Sequence, residues 1–113
     1  MKIYLAGPMS GIKDFNFPEF RRWAAFLRQQ GHEVFNPAER DEEIHRKEIF
    51  EGAGDIEACE KQGFSLRNAL GADTAWICAH AEAIAMMPRW EHSGGARAEW
   101  ALAQALRLPT RYL

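Results

Sequence analysis

Apolar positions change their period several times along the chain, and each change marks an element. Lys2–Ala6 (KIYLA) is a short, β-rich apolar run closed by Gly7-Pro8, which predicts a first strand. In the stretch from Asn16 to Gly31, Phe20, Trp23, Ala24 and Leu27 recur at i, i+3, i+4 and i+7, the period of one helix face. Asn16 and Glu19 have capping-box spacing, Pro18 suits a first turn, and Gly31 suits the position just past a helix end. His32–Pro37 (HEVFNP) predicts a short second strand stopped by Pro37. Ser65–Ala81 predicts a helix, with Leu66, Leu70, Asp73 and Ile77 at i, i+4, i+7 and i+11. Glu82–Pro88 predicts a third, apolar strand, followed by a loop through Gly95. A last helix places Glu99, Leu102, Ala103 and Leu106 on one face, and Leu108–Leu113 predicts a final strand.

Ala38–Gly63 breaks this alternation. The segment is charge-rich, contains Gly52 and Gly54, and has room for a short helix around Glu42–Phe50. Its composition reads as a solvated surface excursion, or as a lid over a ligand, since long connections in compact domains often carry function. The order β-α-β-excursion-α-β-α-β predicts one α/β domain over residues 1–113, with a parallel sheet of four to five strands and helices on both faces. Ligands in such sheets bind beyond the carboxyl ends of the strands. There the loop Gly7–Phe15, the excursion after Asn36 and the loop Pro88–Gly95 should converge.

Composition narrows the partners. The 113 residues suffice for one modest core, and a net charge of −2 argues against holding a nucleic-acid polymer by bulk electrostatics. Cys59 and Cys78 form no CxxC pair and suggest no disulfide framework. No apolar run approaches the ~20 residues of a membrane span, and the start is too short for a signal peptide. The expectation is a cytoplasmic protein without a membrane partner. The four histidines show no metal-ligand spacing, so neither metal nor cofactor is expected.

Two acids stand out. Glu99 and Asp73 each lie on an otherwise apolar stripe, where a charge costs several kcal/mol (roughly) unless paired. Each has a structural reading as a cap, a hidden ion pair or a misassigned face. Two acids aimed at one crevice instead suggest acid/base and nucleophile chemistry. Ser93-Gly94-Gly95 before the Glu99 helix lets backbone N–H groups approach an anion, and Gly7–Gly11 (GPMSG), with the Ser10 hydroxyl, is a second loop of this kind. Both also read as plain turns. Glu82 suits a structural role at its strand's amino end, and Arg21, Arg22 and Arg28 should form the solvated side of the first helix. His92 reads by default as an exposed loop residue, and Trp90 and Trp100 as packing or as base-stacking platforms.

The stretches IYLAGPMSG, NFPEF, GHEVFNPAE and AEAIAMMPRWEHSGGARAEWALAQALRLP together resemble the nucleoside 2-deoxyribosyltransferase-like superfamily, especially its small phage and bacterial members. The resemblance covers nearly all of the chain except Ala38–Gly63. It implies a flavodoxin/Rossmann-like three-layer sandwich, and a glutamate, here Glu99, that attacks C1′ of a 2-deoxyribonucleoside or its 5′-monophosphate. The base leaves and a covalent glycosyl-enzyme forms, which water or another base resolves. Asp73 matches the aspartate that supports the leaving base or the sugar, and Tyr4 the tyrosine that orients the nucleophile. Gly7, Pro8, Met9, Ser10 and Gly11, with Ser93, Gly94, Gly95 and the neighbouring Trp90, match the surroundings of sugar and phosphate. The helix N-terminus is expected to keep Glu99 ionised while a second acid stays protonated. Ser10, Ser93 and the two glycine loops favour a monophosphate hydrolase.

Relatives commonly have aspartate where this chain has Glu82, and many have glycine where it has Arg89. They assemble as homodimers or larger homo-oligomers. Two rival readings remain: a non-catalytic module that binds a nucleotide derivative, and a ribonucleotide phosphoribohydrolase, whose fuller PGGxGTxxE pattern this chain lacks.

Overall fold

Four short strands lie side by side in the computed structural model, which describes residues 1–113. They are β1 (Lys2–Ala6), β2 (Glu33–Phe35), β3 (Ala83–Met86) and β4 (Thr110–Tyr112). All pairs are parallel, in the order β2-β1-β3-β4, with Tyr4 in register with both Phe35 and Ile84. Five helices accompany them: α1 (Phe17–Gln29), α2 (Pro37–Ile44), α3 (Ile56–Lys61), α4 (Leu66–His80) and α5 (Gly94–Ala105).

β1 and β3 are central and covered on both faces, which explains why each is an apolar run rather than an alternation. Alternate side chains then serve two cores. Ile3, Leu5, Ala83 and Ala85 pack with Phe20, Ala24 and Leu27 of α1 and with Ala38, Phe50, Cys59 and Phe64. Tyr4, Ala6, Ile84 and Met86 pack with Ile77 of α4 and with Ala96 and Ala103 of α5. The result is the expected α/β, flavodoxin/Rossmann-like three-layer sandwich.

The segment 38–63 is not a solvated excursion. Most of its charged residues face water, but Asp41 is buried, and Ala38, Ile49, Phe50 and Cys59 are core members. Its first helix starts at Pro37 and ends at Ile44, earlier than the sequence suggests. Asn36 caps it by accepting the Ala38 N–H at 2.9 Å, so Asn36-Pro37 is a helix start as well as a strand stop. The segment is also bound to the β1–α1 loop. Gly11 N–H donates to the Gly54 carbonyl at 2.9 Å, and Asp14 N–H to that of Gly52 at 2.7 Å. Asp14 Oδ1 accepts the Gly52 N–H at 2.7 Å. Gly54 has φ +78°, and a Cβ there would lie 2.3 Å from the Ile12 carbonyl oxygen.

Three further expectations change. The capping box of α1 does not form: Asn16 sits at φ 63° and its amide donates to the Pro8 carbonyl at 3.1 Å, while Glu19 pairs with Arg22. Arg21 and Arg28 are not simply solvated but bridge α1 to α2, through Glu42 at 2.9 Å and through both oxygens of Glu39 at 2.6 and 2.8 Å. Leu106 lies past the end of α5 and is 42% exposed, so the buried stripe of that helix is Ala96, Glu99 and Ala103. Glu82 sits at the amino end of β3, where it accepts the Lys2 N–H at 2.7 Å.

Candidate active site

Parallel strands end together, and the loops after β1 and β3 enclose a cavity of about 270 Å³ with α2, α4 and α5. This is near the small end of the roughly 300–1,000 Å³ range of small-molecule sites. Tyr4 reaches it from β1. The ring is fully buried, 5.5 Å from Phe35 and 6.3 Å from Trp76, and its hydroxyl donates to Glu99 Oε2 at 2.6 Å. Glu99 stands on the second turn of α5, on the face that Ala96 and Ala103 bury against the sheet. Asp73 enters from α4, where it and Ile77 are the buried positions. Tyr4 has one proton to give and gives it to Glu99, so Asp73 Oδ1 is buried without a hydrogen-bond partner.

A third acid lines the same cavity. Asp41 is carried by α2, on the face that also buries Pro37 and Ala38. The three acidic residues are 5% (Asp41), 8% (Asp73) and 6% (Glu99) exposed, and no lysine or arginine lines the cavity to offset them. Burial pushes all three up. Glu99 rises to about 8, with the Tyr4 hydrogen bond opposing and the charges of Asp73 and Asp41 adding. Asp41 rises to about 7 through burial and then the nearby Asp73 charge. Asp73 rises to about 6 through burial, restrained by the charge of Arg40. Burial, then the Glu99 and Asp73 charges, drive the Tyr4 phenol well up, so it remains a donor. The expectation that the helix N-terminus keeps Glu99 ionised is therefore corrected. Glu99 lies past the first turn, where the dipole is felt most, and burial prevails. No group of three His, Cys, Asp or Glu side chains is arranged to hold a metal ion.

Residues 1–112 match the family described as Domain of unknown function (DUF4406). The chain belongs to that family. No curated protein and no solved structure matches it.

In this DUF4406 chain the cavity gathers most of the residues singled out in the sequence. Tyr4, Gly7, Met9, Ser10, Asp73, Ser93, Gly94, Gly95 and Glu99 line it. Three do not. Pro8 is buried and its carbonyl accepts from Asn16, and the Gly11 N–H is taken by Gly54. Trp90 lies outside, stacked on Trp100 at 5.3 Å and on Tyr112 at 6.2 Å. Its partners come from α5 and β4, and it packs those elements together. The Ser93 hydroxyl accepts the Ala96 N–H at 3.1 Å, so it caps α5.

His92 is exposed, as expected, and also lines the cavity rim. Asp41, Phe20, Pro37, Phe64, Leu66 and Leu70 also line it. Leu66 is exposed because it lies at the cavity wall rather than in the core. The sequence signal for Asp41 was the spacing of Pro37, Ala38 and Asp41 along a helix beginning at Asn36, hidden by the charges around it.

Proposed function

We propose that this DUF4406 chain cleaves or exchanges the N-glycosidic bond of a nucleoside or its 5′-monophosphate, with Glu99 as the nucleophile. The observation that carries the reading is the 2.6 Å hydrogen bond from Tyr4 to a glutamate buried in a cavity with two further acids. It agrees with the roles that the superfamily resemblance implies for Glu99, Asp73 and Tyr4. Tyr4 holds Oε2 and fixes the carboxyl plane, and no hydrogen bond engages Oε1.

In this reading Glu99 Oε1 attacks C1′ as the carboxylate. The C1′–N bond breaks, its electron pair goes to the base, and a carboxylic acid of the cluster supplies the base with a proton. Water then attacks C1′, passes its proton to that acid and releases Glu99 as a carboxylate; another base in place of water gives exchange. The raised values, about 8 for Glu99, about 7 for Asp41 and about 6 for Asp73, make Glu99 the last of the three to ionise, so this reading requires Glu99 to give up its proton before attack while the acid that serves the base keeps one. Asp73 serves as acid/base or holds the sugar. A 5′-phosphate would rest on the N–H groups of Gly94 and Gly95 and on Ser10, and these, rather than any cation, favour the monophosphate.

The test is chromatographic detection of free base from a panel of deoxy- and ribonucleosides and their 5′-monophosphates, with and without an acceptor base. Release by wild type and a loss of about 10³-fold or more in Glu99→Gln are expected. Ligand binding that Glu99→Gln leaves undiminished, with no release from any member, would instead identify a binding module.

A further inference from the structure

We propose that Asp41 reads and protonates the departing base, and that this base carries an amino group beside a basic ring nitrogen, as adenine and cytosine do. The inference rests on the N-glycosidic reading and goes beyond it.

Asp41 is the acid that the nucleophile's own layer does not supply. Tyr4, Asp73 and Glu99 belong to the face of the sheet covered by α4 and α5, whereas α2 packs Ala38 into the opposite core. Asp41 also stands on a boundary. Beside the main cavity lies an apolar recess of about 50 Å³ walled by Phe15, Phe17, Phe50 and Phe64, and Asp41 lines both spaces. At about 50 Å³ the recess is too small for a whole base, which would lie in the main cavity with its polar edge toward Asp41 at the boundary.

Asp41 as a residue is 5% exposed, and its carboxyl accepts no hydrogen bond within the protein and is bridged by no lysine or arginine. Unlike Asp73 Oδ1, its oxygens are not fully enclosed; they open to the cavity, where a ligand can provide a donor. The charged groups acting on it are Asp73 across the cavity and Arg40 and Glu42 on its own helix.

The chemistry then selects the base. Protonated Asp41 gives its proton to a ring nitrogen as the C1′–N bond breaks, and becomes a carboxylate. An amino-bearing base now presents two adjacent donors, the ring N–H and the amino N–H, to the two carboxylate oxygens. An oxo base presents its carbonyl oxygen to one of them, acceptor against acceptor. Sites built on such a hydrogen bond discriminate strongly against analogues that lack it.

The experiment compares kcat and KM within pairs that differ only at this edge: cytidine with uridine, and adenosine with inosine, in deoxy, ribo and 5′-monophosphate forms. Wild type, Asp41→Asn, Asp41→Ala and Glu99→Gln are measured, with thermal melts to verify folding. The amino member of each pair should react about 10²-fold faster or more in wild type. Asp41→Asn can still accept from the amino group and donate to the ring nitrogen, so KM for amino members should stay within a few-fold. It cannot transfer a proton, so kcat should fall by about 10²-fold or more. Asp41→Ala should lose both. Base release that depends on Glu99 but treats both members alike, or a kcat unchanged in Asp41→Asn, overturns the inference and leaves the N-glycosidic reading standing. No release from any substrate ends both.

Discussion

Glu99 is held between opposing forces. Burial raises it to about 8, and the Tyr4 hydroxyl, donating at 2.6 Å, pulls it down. Tyr4→Phe removes the restraining donor. We expect the pH-dependent rise of kcat/KM to move to higher pH and kcat to fall by about 10- to 100-fold, the worth of a hydrogen bond to a charged group. An unmoved pH profile would show that Tyr4 does not tune the nucleophile. The same burial has a stability consequence. Asp41, Asp73 and Glu99 titrate higher folded than the roughly 4 of unfolded carboxyls. Between pH 4 and 8 (roughly) the folded state therefore holds more protons, and stability falls as pH rises through that window. Asp41→Asn should raise Tm by about 5 °C or more at pH 8 and by little at pH 4, read by calorimetry. An equal gain at both pH values would contradict the assigned ionisation. Glu99 and Asp73 were visible in the sequence because an acid on an apolar stripe is conspicuous. Asp41 was not, because Glu39, Arg40, Glu42 and Glu43 surround it and its burial depends on which helix face meets the sheet. For Trp90 the sequence offered packing or base stacking, and its contact with Tyr112, remote in sequence, decides for packing.

At the scale of elements, small local devices position the cavity wall. Ser93 caps α5 through Ala96, and Ser93→Ala should cost about 1 kcal/mol in urea unfolding. Gly54 matters for another reason: its positive φ and the Ile12 carbonyl 2.3 Å from any added Cβ leave no room for a side chain. Gly54→Ala should lose about 2 kcal/mol or more, and it should also loosen Met9 and Ser10, whose loop is bonded to this segment. A Gly54→Ala protein as stable as wild type would show that the two loops do not need this close approach. Strands and long helices were legible because their apolar periods are strong. The segment 38–63 was misread because short helices that bury few residues each leave a mostly polar sequence. Asn16 misled for a related reason: its amide serves a tertiary contact with Pro8 rather than the helix it precedes.

For the whole molecule, topology decides where chemistry sits. The connection from β1 runs outward to β2, and the chain then returns to the other side of β1 to lay down β3 and β4. The cavity lies at that reversal, beyond the carboxyl ends of β1 and β3, as expected for open parallel sheets. No helix is long and apolar enough to cross a membrane. The fold and the place of the cavity were legible from the alternation of periods, whereas the third acid, the packing of segment 38–63 and the contact of Asn16 with Pro8 required coordinates. The central claim is that Glu99 becomes covalently bonded to a sugar. The most direct measurement is intact-protein and peptide mass spectrometry after rapid quenching with a 2′-fluoro-arabinosyl nucleoside that slows the second step. The account predicts an added glycosyl unit on the peptide containing Glu99, absent from Glu99→Gln. Base release with no adduct, or an adduct on another residue, would contradict it.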